Sequence, residues 1–450
     1  MTRQITKCFV AMTVLSGAVT AFSAPCRLSM DEAVSKGLQA NVNLAIAGAR
    51  VEEAVGSLER RQSAYLPHVR IETPVAYQTR NLKAQGIDFQ NIPAVVGPFT
   101  SVDFRVYGDQ ALFDMQSYHS IKAGEKDKSA RSNDFEDVRS RIIRQVAVNY
   151  IAAEYSAARV ETAASRVKTS EALEKLAINQ KQAGVADGLD VLRARVQVAN
   201  DRQNLLAANN SYQQSLLVLA RSIGMDMGTS LILTDKLSFS KLESPQIEQA
   251  VASALENRPD YRSLFAQRAS VESQIRSSNA RYLPKIILSG NYGGSGQTLG
   301  DIEPSGVIQA NLVMTLFDSD RNGERLELDS RLRRIEQQIA DQKRGVEQDI
   351  REALLNLQSA DEQAGVAKSG LELAEMELQY ASDRFKNGIV NNIEVVKAQD
   401  SLARAHDNNL NALAQHADAK IALARALGNA DKTYRIFLGI QEATGRGLTP

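Results

Sequence analysis

The sequence predicts a mainly α-helical protein with a small β part, in which one structural unit occurs twice. Trp is absent and aromatic residues are few, whereas Ala, Leu, Gln, Glu, Lys and Arg are abundant. This composition is typical of long helices and coiled coils. In addition, the second half of the chain repeats the landmarks of the first half in the same order. We therefore expect two copies of one set of helices and strands.

The N-terminal residues predict export. Arg3 and Lys7 are followed by an almost uncharged apolar stretch, Cys8 to Phe22, and then by small residues. This pattern predicts a signal peptide covering 1–24, because a spanning helix needs about 18 to 20 apolar residues. After cleavage Cys26 would be the only cysteine, which excludes an intramolecular disulfide. Lipid modification of Cys26 stays open.

Landmarks in the two copies lie at one constant offset. They are the Leu-Phe-Asp motif at 112–114 and 316–318, the glycines Gly184 and Gly388, the alanines Ala194 and Ala398, and the endings 221–224 and 425–428. A Tyr-Leu-Pro motif at 65–67 and 282–284 opens each strand region, but its distance to Leu-Phe-Asp is greater in the first copy. The first copy therefore carries an insertion.

The sequence pattern of each copy predicts a helix, two strands, a very long helix, a tight turn and a further helix. The first repeat (25–224) comprises helix 29–64, strands 67–79 and 101–112, long helix 115–183 and helix 189–223. The second repeat (246–428) comprises helix 246–281, strands 284–296 and 306–317, long helix 319–387 and helix 392–427. An equatorial linker, 225–245, joins the repeats, and an equatorial tail, 429–450, follows them.

The predicted strands alternate in polarity. Val69 and Ile71 alternate with His68 and Arg70, and the other three strands behave in the same way. This period of two over about ten residues is typical of a barrel strand with one lipid face and one wet face, although a half-buried soluble hairpin has the same pattern. Pro74 does not fit the first strand.

The long helices carry a coiled-coil pattern. Small or apolar residues such as Ile335, Ala353 and Leu357 recur at spacings of three and four. At 1.5 Å per residue, 65 to 70 residues form a rod of about 100 Å. The helices that follow the glycine turns are only about half as long. We therefore expect two shorter helices to be stacked end to end along each rod, with the linker at mid-height.

Four strands are too few to close a barrel. Open sheet edges are not tolerated in lipid, and small bacterial barrels have at least about eight strands. The chain must therefore share a barrel with other copies, with eight strands from two copies or twelve from three.

The order and constant offset of these motifs resemble the TolC-type outer-membrane efflux protein family over essentially the whole mature chain. The resemblance implies a homotrimer in the cell outer membrane with a periplasmic extension. Four strands per protomer would contribute to a shared 12-strand transmembrane β-barrel, and the coiled-coil hairpins would form an α-barrel. The implied partners are a periplasmic adaptor (membrane fusion) protein, an inner-membrane pump or ABC transporter, and outer-membrane lipid.

The resemblance also implies three groups of functional residues. The turns at the hairpin tips, where an adaptor would dock, contain Gly184, Asp187, Gly188, Gly388, Asn391 and Asn392. The periplasmic gate or constriction would contain Asp190, Phe385, Val390, Glu394 and Lys397. The junctions between barrel and helices would lie at Pro67, Asp114, Pro284 and Asp318.

The gate residues depart from the family pattern. Phe385 stands where the best-known type of member has Tyr, and Val390 where it has Arg, so neither side chain can hydrogen-bond to Asp190. Glu394 matches a constriction acid, but Lys397 lies where a second acid is expected. We therefore expect a gate with fewer polar ties and weaker cation selectivity.

Several other functions are excluded by the sequence. The formal net charge is zero, which gives no reason to expect nucleic acid as a partner. The four histidines lack ligand spacing, and the acidic residues are interleaved with Lys and Arg as on solvated faces. We expect no cofactor and no enzymatic activity. The alternative to an outer-membrane channel is a periplasmic coiled-coil adaptor or structural tether. The transported substrate, and the choice between efflux and type I secretion, stay open.

Overall fold

The computed structural model describes residues 26–86, 93–184, 187–387, 389–390, 392–431 and 434–435. The predicted signal peptide and most of the predicted tail lie outside this part of the chain, as do Gly388 and Asn391. No helix among the described residues is both long enough and apolar enough to cross a membrane.

The first repeat begins with two helices, α1 (Met30–Ala40) and α2 (Val42–Gln62), where the sequence predicted one. Asn41 separates them, because its backbone is extended and its side chain accepts a hydrogen bond from the N–H of Asn43 at 2.9 Å. A side chain that competes in this way for backbone N–H groups favours a cap over a helix interior. The prediction of an unbroken helix over 29–64 was therefore wrong.

The predicted helix 246–281 is also two helices, α5 (Ile247–Asn257) and α6 (Pro259–Ala280). Arg258, at the break, has φ −63° and ψ 122°. Pro259 imposes this extended conformation on the residue before it, and its own missing N–H is tolerated at the first position of α6.

The main sheet contains β2 (His68–Glu72), β3 (Val75–Asn81), β4 (Val95–Phe113), β6 (Lys285–Gly296) and β7 (Glu303–Val313). All pairs are antiparallel, and β2 and β3 lie end to end along β4, which is followed by β6 and then β7.

Three predicted strands have different limits in the structure. The predicted strand 67–79 is interrupted at Pro74, which has no N–H to donate, although its carbonyl oxygen accepts from the N–H of Asp103 at 3.0 Å. The return strand predicted over 101–112 begins earlier, at Val95, and the strand predicted over 306–317 is shifted to Glu303–Val313.

The insertion in the first repeat lengthens the hairpin of β3 and β4. The last residue pair between β4 and β6 is Val102 with Gly296, and Val102 also pairs with Val75 at the start of β3. From Ala76 onward β3 and β4 therefore continue as a two-stranded ribbon beyond the rest of the sheet. The sequence predicted an insertion here but no strand in it before residue 101.

The longest elements are α3 (Met115–Gln182, 68 residues) and α7 (Asp320–Lys386, 67 residues). Each is about 100 Å long at 1.5 Å per residue. The helices α4 (Gly188–Ser222) and α8 (Asn392–Ala426) return along them. α4 and α6 both pack against α3, while α8 and α5 pack against α7.

A hydrophobic core lies at mid-height of the rods. Short strands β1 (Cys26–Leu28) and β5 (Leu231–Leu233) pair in parallel there. Tyr150, close to the middle of α3, is fully buried and donates a hydrogen bond to the carbonyl oxygen of Leu28 at 2.9 Å. Tyr434 of the tail packs in the same core, so the N-terminal strand, the linker and the described part of the tail all meet here. A second core joins α5, α7 and α8.

Candidate functional site: the sheet, its junctions and the hairpin tips

One face of the sheet is polar and connected by hydrogen bonds. Arg105 lies at its centre, on β4. Its guanidinium donates to Asn291 Oδ1 on β6 at 2.6 Å, to Ser305 Oγ on β7 at 2.9 Å and to Asp103 at 3.3 Å. The strand register places Glu72 of β2 opposite Arg105 on the same face.

A second group of charges extends this polar face across β2. Arg70 donates to Glu72 at 2.8 Å and to Asp109 of β4 at 3.0 Å, and it stacks over the ring of Tyr107 at 5.0 Å. These contacts link β2 to β4 across the polar face.

The opposite face is apolar and exposed in the protomer. The register aligns Ile71, Val106 and Tyr292 on this face, and two residues further along β7 lies Ile308. Tyr292 is 70% exposed and Ile308 86% exposed. A contiguous apolar surface of this kind on a soluble monomer would be unfavourable in water.

The outer edges of the sheet are open within the described chain. β7 pairs only with β6, and β2 and β3 pair only with β4. Each edge therefore presents backbone N–H and C=O groups that need partners.

The two sequence motifs of the first repeat meet at the base of the sheet. The Tyr65 hydroxyl donates to the backbone carbonyl of Asp114. The Asp114 carboxylate caps α3 by accepting from the N–H groups of Gln116 at 2.9 Å and Ser117 at 3.2 Å. Pro67 directly precedes β2.

The second junction repeats this arrangement. The Tyr282 hydroxyl donates to the Asp318 carbonyl at 3.3 Å, and Pro284 directly precedes β6. The sequence did not single out Arg281, whose guanidinium pairs with Asp318 at 3.0 Å and with Glu324 at 3.2 Å. In both copies, the Tyr of the Tyr-Leu-Pro motif thus donates a hydrogen bond to the backbone carbonyl of the Asp in the Leu-Phe-Asp motif.

At the first hairpin tip, α3 ends where Gly184 adopts φ +73°, a left-handed conformation that favours glycine. Asp187 caps α4, which begins at Gly188. Asp190 lies in the first turn of α4 with its side chain only 15% exposed, and Arg193 approaches it to 3.7 Å.

At the second tip, Phe385 is buried, with 3% exposure. It packs against Leu173 of α3 and Val395 of α8, and Val390 covers the same cluster. The side-chain amide of Gln180 also donates to the Phe385 carbonyl at 3.2 Å. Phe385 and Val390 therefore contribute an apolar contact that holds the two hairpins together.

The predicted acid and base of the constriction lie on the surface of the protomer. Glu394 is in the first turn of α8, and both Glu394 and Lys397 are at least partly exposed. Asn392 is the first residue of α8, while Gly388 and Asn391 are outside the described part of the chain. The structure thus brings Phe385 and Val390 together and leaves Glu394 and Lys397 open to contacts with other chains.

A line of ion pairs, which the sequence pattern does not predict, joins the two hairpins. Four arginines of α3 face aspartates of α8 or the tail: Arg139 with Asp431 at 3.2 Å, Arg144 with Asp418 at 4.0 Å, Arg159 with Asp407 at 3.5 Å and Arg166 with Asp400 at 3.4 Å. Arg166 also pairs at 2.9 Å with Asp201 of α4, whose side chain is 1% exposed. Some interleaved charges thus connect neighbouring helices, and one of them, Asp201, is buried.

The described residues contain no group of three or more His, Cys, Asp or Glu side chains that could hold a metal ion. One buried carboxyl group is nevertheless unusual. Glu154, on α3, is 7% exposed, and burial together with the charge of Asp235 raises its pKa to about 7.

A family model matches both repeats, over residues 33–225 and 250–429. The chain therefore belongs to the outer membrane efflux protein family. It is located in the cell outer membrane and acts as an efflux channel protein, not as an enzyme.

Individual relatives and solved structures agree with the family. The pyoverdine export outer membrane protein OpmQ of Pseudomonas putida is 24% identical over 421 residues, covering 91% of this chain and 87% of OpmQ. The toluene efflux pump outer membrane protein TtgF, also of Pseudomonas putida, is 22% identical, covering 89% of this chain and 83% of TtgF. The CmeC outer membrane channel of Campylobacter jejuni superposes with a TM-score of 0.75 at 14% identity, covering 93% of this chain and 90% of CmeC. This likeness confirms the predicted mainly α fold with long helical hairpins.

Proposed function

We propose that three copies of this chain form one continuous duct, with a 12-strand β-barrel in the outer membrane above an α-barrel in the periplasm. The observation that carries this proposal is the sheet, which has one polar face, one exposed apolar face and, within the described chain, two open edges. Such a sheet satisfies its edges and covers its apolar face only when copies join edge to edge in lipid.

In this arrangement the network around Arg70 and Arg105 lines the water-filled lumen. The apolar face with Tyr292 and Ile308 contacts lipid, as the alternation of a membrane barrel requires. The hairpins α3–α4 and α7–α8 extend the wall of the same lumen downward, because α3 follows β4 and α7 follows β7 along the chain.

We assign the hairpin tips to closure and docking. The Phe385 cluster fixes the two hairpins of one protomer to each other. Asp190, Glu394 and Lys397 would then meet their symmetry copies near the axis, as a constriction of mixed charge. Gly184, Asp187, Gly188, Gly388, Asn391 and Asn392 would form the turns that a periplasmic adaptor contacts.

The proposed partners are that adaptor and an inner-membrane transporter. Relatives that match most of this chain are named for pyoverdine export and toluene efflux, so we infer that the cargo is a small organic molecule. The alternative is a periplasmic adaptor or tether. It would leave the apolar face and the open edges of this sheet without partners.

The test is the mass and conductance of the purified protein. Detergent-solubilised protein should contain three chains per particle, run as a heat-sensitive oligomer on gels and conduct ions in planar bilayers. A protein that is monomeric and soluble without detergent would rule out the duct.

A further inference from the structure

The part of the linker that follows β5 is held by side chains and not by a backbone ladder. From residue 234 to residue 246 it has neither helix nor strand. Leu237 packs against the mid-height core, and Leu242 packs against the core of α5, α7 and α8. Between these two anchors the linker crosses α8 at Phe239 and Ser240.

Two buried basic residues of α8 contact the linker where it crosses this helix. His416 is 1% exposed, and its ring lies 4.8 Å from the ring of Phe239. Lys420 is 2% exposed, and its ammonium donates to the carbonyl oxygen of Ser240 and to Ser240 Oγ, the latter at 2.7 Å. From the other side, Asp361 Oδ1 of α7 lies 2.7 Å from His416 Nε2.

The charges at the crossing balance only while His416 is neutral. Asp361 and Lys420 then offset each other, and the linker contributes no charge through Phe239 or Ser240. A proton on His416 would place a second positive charge one helical turn from Lys420 in a buried position, where charge is costly.

The pKa of His416 is lowered from 6.5, first by burial and then by Lys420, while Asp361 acts in the opposite direction. A lowered pKa means that the docked state favours the neutral imidazole. The stability that neutral His416 contributes to this contact is therefore fully present above pH 6.5. It is lost as the pH falls through the pKa that His416 has in the docked state.

We propose that His416, Asp361 and Lys420 form a pH-sensitive contact, here called the clasp, that holds the equatorial linker at Phe239 and Ser240. Protonation of His416 breaks this contact. The docked linker connects α7 and α8 to the first repeat, and its release loosens this connection. The second hairpin then moves more freely, which favours an open duct in acid. Only this last step rests on the proposed function.

The test is hydrogen exchange of the linker in the full-length oligomer, at pH 7.5 and pH 5.0, corrected for intrinsic rates. Exchange of the amides between 236 and 243 should speed up in acid, by at most about tenfold per pH unit, the limit for one proton. His416→Gln should abolish this acceleration. His406→Gln is the matched control, because it removes a histidine from the same helix away from the linker, and it should behave as the wild type.

Two results would overturn the clasp: a linker that exchanges equally at both pH values, or a His416→Gln variant that keeps the acid response. Asp361→Asn provides a second test if His416→Gln does not fold. Loss of the carboxylate disfavours the protonated imidazole, so the acid response should shift to lower pH, and an unshifted response contradicts the proposal. Conductance is recorded in parallel. A conducting oligomer without linker release refutes the clasp alone, whereas linker release without any channel refutes the duct.

Discussion

At the scale of single residues, the protein places a few side chains in positions that their residue types alone do not predict. The Phe385 ring is buried between the two hairpins, close to the turn where a surface position would be expected. Glu154 is buried beside Asp235, with no basic partner among the described residues, and Asp201 is buried beneath Arg166. Phe385 and Asp201 lie where helices of the hairpins meet, whereas Glu154 lies beside Asp235 of the linker.

Truncating Phe385 should loosen the tips. Phe385→Ala removes a buried ring, a change that typically costs about 3 to 5 kcal/mol. Because the ring joins α3, α7 and α8, we expect a higher leak conductance in planar bilayers. Tyr380→Ala removes an aromatic ring that is 70% exposed on the same helix and should leave the leak unchanged. Equal leaks in the two variants would contradict this role for Phe385.

Glu154 should make the protein less stable as the pH rises. Its pKa is raised from 4.5 to about 7, so its contribution to stability is complete below pH 4.5 and is lost as the pH rises through 7. A shift of this size corresponds to roughly 3 kcal/mol.

The variant Glu154→Gln tests this, because its side chain is neutral throughout. It should be more stable than the wild type at pH 8, and this advantage should shrink or reverse at pH 5. Unfolding by denaturant at the two pH values measures the difference. Glu161→Gln, an exposed change on the same helix, should show no such dependence.

At the scale of elements, the two faces of β7 offer the sharpest test of the membrane assignment. Ile308 and Gln309 are neighbours on one strand, paired with Gly290 and Ser289 of β6, and they lie on opposite faces. A lysine on the lipid face of a barrel costs about 2 to 4 kcal/mol near the bilayer midplane, whereas a lysine in the lumen changes selectivity.

Ile308→Lys should therefore reduce the heat-sensitive oligomer in the outer membrane. Gln309→Lys should assemble normally and shift the reversal potential towards anions. Oligomer yield on gels and bilayer recordings measure these effects. The opposite pattern would show that the faces are assigned the wrong way round.

The elements also show how far sequence reasoning reaches. The duplication, the four strand regions and the two long rods follow from local pattern, because period and motif spacing are properties of the chain itself. The breaks at Asn41 and Arg258 were missed because the apolar pattern continues across them, although Pro259 is a visible signal. The ion pairs of Arg166 and the burial of Phe385 depend on which helix faces meet, and spacing along one helix does not specify its neighbour.

At the scale of the whole molecule, the junction motifs should mark where the membrane ends. Leu316 and Phe317 are 82% and 84% exposed, just below the apolar face of the sheet and just above α7. In a duct they would lie at the periplasmic boundary of the bilayer, where apolar and aromatic side chains collect.

The absence of Trp from the chain makes this boundary measurable. A single reporter at Leu316→Trp should be quenched by brominated lipids in reconstituted vesicles. Gln337→Trp, at an exposed position on α7 about 25 Å below the start of that helix, should not be quenched. Quenching of both reporters, or only of the lower one, would show that the membrane boundary lies further down the molecule than Leu316 and Phe317.

The ribbon of β3 and β4 has a practical consequence if the sheet spans the bilayer. It continues past the final β4–β6 pair on the side away from the helices, so it would stand above the cell surface. Within the described chain its outer end pairs with no third strand, and projecting segments of this kind accept insertions well. A peptide tag placed there would make living cells recognisable to an antibody without altering the wall of the duct.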